Sequence, residues 1–375
     1  MRRRHPLTDA ERTASRWRWA LRGTAAATVI PLWVPRFLPF TDLPEHVAAI
    51  STLAHWFDPA FRFQEHYTLA IGKSQYLLYH LVGALLALAT GSAETGNLVL
   101  LTLVGIGFPY AMRSLLLALG KDSRIALLAC PAFYSRPLVV GFLPYVAAAP
   151  VVLYALSLVV RQAGSPSRRR AVGLSVVAVA LFYLHVNAFV LFVLVAACFT
   201  WLLAAPAPSK ETRLAQVLAK VARSTVQMVW LAPAAIAAGT WALHGELAMG
   251  KSTSIRDQGQ IVYLPRAEIV HEFPIWAHDV WHSHTDEWTA CGFWALVVWL
   301  AFQRGSDAER GRDTLVAWTP FACTAVFYLA LPFQVGAGAM LNVRLALFLT
   351  LFVLLVARPQ PGRSSDIAFA AAVVL

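Results

Sequence analysis

Charge is scarce in this chain: Asp, Glu, Lys and Arg together make up only 14% of its 375 residues, against ~25% in an ordinary soluble domain. Cysteine is scarcer still. Cys130, Cys198, Cys291 and Cys323 lie scattered in apolar segments, without the spacing of a disulfide framework or a zinc site. No Walker phosphate loop and no dinucleotide-binding glycine pattern occurs, so a reaction driven by a cytosolic nucleotide is not expected. No G-x-S-x-G stands between a strand and a helix, which removes the nucleophile-elbow hydrolases. No repeat of solenoid period and no low-complexity tract is found.

What remains is apolar. Hydrophobic residues are 58% of the chain and mean hydropathy is +0.59. Thirteen Trp and ten Tyr suit the interfacial belts of a protein that crosses a membrane many times. The formal charge of +11 does not point to nucleic acid, because the basic residues sit in short runs between apolar spans. That placement satisfies the rule that cytoplasmic loops are positive, and it attracts anionic inner-leaflet lipid.

These patterns predict an all-α, polytopic transmembrane bundle of about 9–11 segments, some broken or re-entrant. The whole of 1–375 is expected to form one integral membrane domain. Residues 1–18, with Arg2, Arg3, Arg4, Arg12, Arg16 and Arg18, form a cytoplasmic tail ahead of an uncleaved first helix. Larger extracytoplasmic loops are expected at 39–75 and 243–287. Runs near 76–91 and 97–118 are expected to cross twice, which leaves Lys121 and Arg124 on the outer face against the charge rule. The stretch 125–160, with Arg136, Pro137, Gly141 and Pro144, reads as a half-inserted piece followed by a span. An outer turn is expected at 183–187. The last apolar run has about ten residues from Asp366, half a crossing; truncation and packing of the end against the bundle are both left open. The plasma membrane of a bacterium is the expected location.

The most informative stretch is Phe40-Thr41-Asp42-Leu43-Pro44-Glu45-His46. It opens a polar segment that also carries His55, Asp58, Glu65 and His66. Ionisable groups are costly in hydrocarbon, so a cluster of them marks a site or a wet loop. Thr41 and Asp42 read as N-caps, with Pro44 in the first turn of a helix whose positive end suits an anion. Asp42, with Glu45 and His46, is the candidate catalytic group. It would serve as general base on a hydroxyl, or hold a divalent cation (Mg or Mn) beside a phosphate. Glu65, His66, Arg136, His185 and Arg344 are candidate substrate-binding residues, the arginines because guanidinium grips phosphate with two parallel hydrogen bonds. His278 and His282, four apart, have a workable metal spacing if they share a helix. His80 reads as a hydrogen-bonded core histidine.

With its basic tail, first helix, acidic outer loop and apparent helix breaks at Gly141-Phe142-Leu143-Pro144-Tyr145 and Leu184-His185-Val186-Asn187, the chain resembles the GT-C superfamily of multi-spanning glycosyltransferases. That resemblance implies transfer of a sugar from a polyprenyl-phosphate carrier at the extracytoplasmic face. It also implies that Asp42, with Glu45 second, stands where the family carries its catalytic acid. The partners it implies are a lipid-linked sugar phosphate and membrane lipid. A non-catalytic membrane component and a lipid or solute transporter are the competing readings. Polar residues gathered at one face, rather than at mid-bilayer, count against transport.

Overall fold

The structure is a computed structural model and describes residues 9–69, 71, 76–204, 212–248, 261–280, 283–302, 312–335 and 338–359. It is all-α. Among the described residues the only strands are Ile261–Val262 and Gln334–Val335, which pair antiparallel.

Helix α1 covers Asp9–Trp33, α2 Leu43–Ala54, α3 Phe63–His66, α4 Leu77–Thr90 and α5 Ala93–Ala118. A chain of short 3-10 turns (Ser123–Ala129, Pro131–Phe133) leads to α6, Arg136–Val140. Then follow α7 (Leu143–Gly164), α8 (Arg168–Leu184), α9 (Val186–Leu203), α10 (Arg213–Gln227) and α11 (Ala232–Ala248). The remainder is α12 (Arg266–His271), α13 (Phe273–His278), α14 (His284–Phe302), α15 (Arg312–Ala330) and α16 (Ala346–Val353).

Among the described residues four helices are long and apolar enough to cross a membrane: α5, α7, α9 and the stretch Asp313–Ala330 of α15. A fifth candidate is α10 joined to Val229–Leu243, bent by 41°. Among the described residues fewer segments pass this test than the 9–11 expected; α4 and Val343–Val356 are apolar but short. Large side chains such as Leu85, Leu103, Val172, Val190, Ile236 and Val326 point outward uncovered. An apolar exterior around a packed interior fits an integral membrane protein.

The bundle has one basic end. The Arg124 guanidinium lies 5.5 Å over the Trp17 ring, and Arg161 donates to the Ser114 carbonyl near the end of α5. Arg170 Nη1 donates to the Arg161 carbonyl, and the 3-10 turn Leu354–Val356 before Arg358 packs on Ser123–Ala129. Arg124 is therefore on the same end as Trp17, not on the opposite one as the sequence reading had it. The reason is local. Helix α4 turns back along α2, where Gly83 faces Ile50, and α5 alone runs the length of the bundle, from Thr102 beside Trp33 to Ser114 beside Arg161. The close α4–α5 approach needs Gly96, since a Cβ there would stand 2.5 Å from the Ala87 nitrogen.

The stretch from 125 to about 137, expected to be half-inserted or interfacial, is packed in the protein core. Ile125 to Cys130, Phe133 and Leu138 are buried, and the Tyr134 hydroxyl reaches the Thr28 carbonyl. The predicted turn near 185 is present, as a single extended residue between α8 and α9. Cys198 and Cys323, remote in sequence, come within 3.8 Å as free thiols.

Candidate active site

At the end away from the basic cluster, the Thr41–His46 run docks on the corner after α6. The Thr41 amide donates to Val139 O (2.9 Å) and the Asp42 amide to Val140 O (3.1 Å). Gly141 makes the corner. Its φ of +97° is in the region that favours glycine, and a Cβ there would sit 2.5 Å from the Asp42 nitrogen. We expect Gly141→Ala to lower the melting temperature of the purified protein, by strain worth ~1–3 kcal/mol, and to push Asp42 off its seat. A variant that melts with the wild type would show that this corner is not constrained.

Asp42 occupies the N-cap position of α2, with Pro44 in the first turn as the sequence predicts. Its side chain makes no capping hydrogen bond, however. The carboxylate is half-buried and not engaged by the helix end.

One turn on, His46 joins a relay. His46 Nε2 stands 2.8 Å from the Gly141 carbonyl, His46 Nδ1 stands 2.9 Å from His80 Nε2, and His80 Nδ1 stands 3.0 Å from the Tyr76 carbonyl. Both outer partners are acceptors, so the three contacts require three protons. Two neutral imidazoles supply two. The pair is thus one proton short of a full set, and a proton taken up would find its contact already built. Tyr79, buried, braces both rings edge-on and donates to Asn97 Oδ1 at 2.7 Å.

Burial lowers the pKa of His46, opposed by the Gly141 carbonyl and by the charges of Asp42 and Glu45. The unfolded chain therefore binds a proton that the folded one refuses, in the window below the ordinary imidazole value of 6.5. Stability should be full above that value and fall as pH drops towards the lowered one. Melting curves across pH should show this slope, and His46→Gln should flatten it; an unchanged slope would remove His46 as its source.

The third group is centred on Arg344, in the 3-10 turn that precedes α16. Its guanidinium lies 3.9 Å over the Phe142 ring, Nη2 donates to Ala339 O (2.7 Å), and Nη1 faces His185 Nε2 at 3.4 Å. Tyr145 packs its ring 4.8 Å from that of His185 and donates to the Arg344 carbonyl at 3.0 Å. The Tyr76 ring lies 5.0 Å from that of His185, tilted by 53°, and Tyr76 hydrogen-bonds the Arg344 side chain. Asn187 Nδ2 donates to Leu341 O, which ties the α8–α9 turn to the loop before Arg344.

Donor counting is again informative. Arginine has no acceptor, so His185 Nε2 must present its lone pair and Nδ1 must carry the proton. His185 Nδ1 is buried without a partner, and so is Arg344 Nε. Two neighbouring buried N–H donors therefore lack acceptors, each at a cost of ~1–3 kcal/mol. Asp42 acts electrostatically on Arg344, so the acid and the guanidinium share one end of the bundle.

Other candidates stand apart. Glu65 is paired with Arg62 at 2.7 Å on an exposed turn, where His66 is also exposed. Arg136 is committed to Asp279, 3.1 Å away, so its charge is already answered by an acid rather than held for a phosphate. Helix α13 ends at His278, whose Nε2 accepts from Trp294 Nε1 at 3.0 Å. The expected helical pairing of His278 with His282 is not formed on that helix, and His282 itself lies outside the described residues. Among the described residues no group of three His, Cys, Asp or Glu is close enough to hold a metal ion. Tyr76, Phe142 and Tyr145 are not singled out by the sequence; His80, read as a hydrogen-bonded core histidine, is hydrogen-bonded, to His46 and the Tyr76 carbonyl. Aromatic residues at the edges of spans are too common here to stand out, and Phe142 and Tyr145 were noted only as part of a helix break.

No model of a known protein family matches the chain, and no curated protein matches it. Its function is therefore argued from the site alone.

Proposed function

We propose that the protein is a membrane glycosyltransferase that takes a sugar from a polyprenyl-phosphate donor at the extracytoplasmic face. The observation that carries this reading is the pair of orphaned donors, His185 Nδ1 and Arg344 Nε, gathered near the uncapped carboxylate of Asp42. Buried donors without acceptors suit a ligand rich in acceptor oxygens, and a phosphate is such a ligand. The basic end is assigned to the cytoplasm by the positive-inside rule, which puts Asp42 and Arg344 outside with the N-terminus inside.

In this mechanism Arg344, held flat on Phe142, receives the phosphate of the donor together with His185. Asp42 takes the proton from the acceptor hydroxyl as its oxygen bonds to the anomeric carbon. The bond from that carbon to the phosphate oxygen breaks, and the electron pair leaves with the phosphate. The negative charge that develops on the leaving group is met by the guanidinium, which is where electrostatic stabilisation has most effect. Were a divalent cation used instead, Asp42 would help hold it, and the cation would supply charge stabilisation for the leaving phosphate.

The test is chemical. Protein purified in mild detergent should co-purify with, or rebind, a polyprenyl phosphate detectable by native mass spectrometry, and should transfer a labelled sugar from a polyprenyl-phosphate donor. Saturable solute uptake into proteoliposomes without any covalent product would replace this reading with transport.

A further inference from the structure

A cleft lies away from the loop that carries Asp42. It opens between α9, α10 and α15 with a volume of about 530 Å³, and its walls include Cys198, Trp201, Val221, Ser224, Met228 and Leu315. Trp201 lies near the end of α9 remote from His185, and Leu315 near the start of α15, so the cleft belongs to the basic end. Its threonines do not make it polar. Thr225 and Thr319 turn their hydroxyls onto their own helices, at Val221 O and Leu315 O. One polar group is left over: Ser224 is 9% exposed and its hydroxyl has no hydrogen-bond partner.

Helix α10 supplies the rest of the argument. Leu214, Val217, Leu218 and Val221 recur at helical spacing and are all exposed. Around that stripe stand Arg213, Lys220 and Arg223, and the helix carries no acid. Asp313 is the sole acid on the three helices that form the cleft. Lys220 Nζ lies 4.5 Å over the ring of Trp201, at the wall of the cleft. An apolar stripe flanked by cations is the pattern of a helix lying in the headgroup layer of an anionic leaflet.

We propose that this cleft is a binding site for one anionic phospholipid, unconnected with the transferase site. An acyl chain fills the apolar volume, a glycerol or ester oxygen accepts from the Ser224 hydroxyl, and the phosphate lies by Lys220. A zwitterionic lipid with the same chains would fill the volume equally and lose the net charge.

The experiment uses the full chain, purified in detergent and stripped of lipid, with dioleoyl-phosphatidylglycerol or dioleoyl-phosphatidylcholine added back. Phosphatidylglycerol should raise the melting temperature saturably, and native mass spectrometry should show one tightly held copy. Lys220→Glu should weaken that binding by roughly fivefold or more, the effect of about one basic contact, and leave phosphatidylcholine unaffected. A photoactivatable phosphatidylglycerol should cross-link to peptides of α9, α10 or α15 in the wild type, which needs no variant to fold. Equal response to both lipids, an unchanged affinity in Lys220→Glu, or cross-links confined to other helices would each overturn the proposal. None of these outcomes touches the transferase reading, which is tested separately at Asp42 and Arg344 and by the transfer assay.

Discussion

Asp42→Asn is expected to lower sugar transfer by about 10²–10⁴-fold, the usual contribution of a positioned general base, with little change in melting temperature. The Asp42 amide, not its carboxylate, makes the bond that docks the loop on Val140, and the side chain does not cap α2. Asparagine keeps the amide and almost the same shape, and it loses only the charge and the basicity. Losing the carboxylate does remove a negative charge that acts on both His46 and Arg344. The melting curve of Asp42→Asn should therefore shift slightly while turnover collapses. Glu45→Gln provides the comparison. Glu45 is exposed and its charge is felt at His46, so its removal should cost far less. The measurement is turnover of a polyprenyl-phosphate sugar by each purified variant. If Asp42→Asn retains wild-type turnover, Asp42 is not the base, and the mechanism above falls with it.

The sequence made the chemistry of the loop legible but not its depth. Asp42, His46, His185 and Arg344 stand out because an ionisable side chain is conspicuous in an apolar chain. What could not be read was which of them share a wall. That depends on how 123–140 runs, and its Pro131, Pro137 and Gly141 are consistent with a surface piece or with a broken crossing. The structure buries this stretch in the core, and two consequences follow. Arg124 joins the basic end beside Trp17, and Gly141 arrives against Asp42. Arg136 was ambiguous for a related reason. A guanidinium beside a helix break looks like a phosphate ligand until its partner is known, and Asp279 is 143 positions away. Helix α4 is apolar but short, and it packs against Ile50 and α5.

Arg344→Lys is the sharpest discriminator between a phosphate site and a merely structural arginine. Lysine keeps the positive charge, so a role that needs only charge would survive the exchange. The geometry calls for more than charge: a flat group against Phe142, one N–H spent on Ala339 O, another directed at His185, and a third left without an acceptor. An ammonium cannot satisfy that fork. Loss of one charge-assisted hydrogen bond is worth ~1.5–3 kcal/mol, so kcat/KM for the donor should fall between about 10- and 100-fold. The fall should appear mainly in KM if the orphaned Nε binds the ground-state phosphate, and in kcat if it meets charge that develops as the phosphate leaves. His185→Gln offers a partner measurement, because it removes the other orphaned donor and loosens one face of the guanidinium. Two residues acting on one phosphate should give a double variant less impaired than the product of the single effects. Strict multiplication would place them on separate tasks. Lysine that restores full turnover would reduce Arg344 to a counter-charge for Asp42.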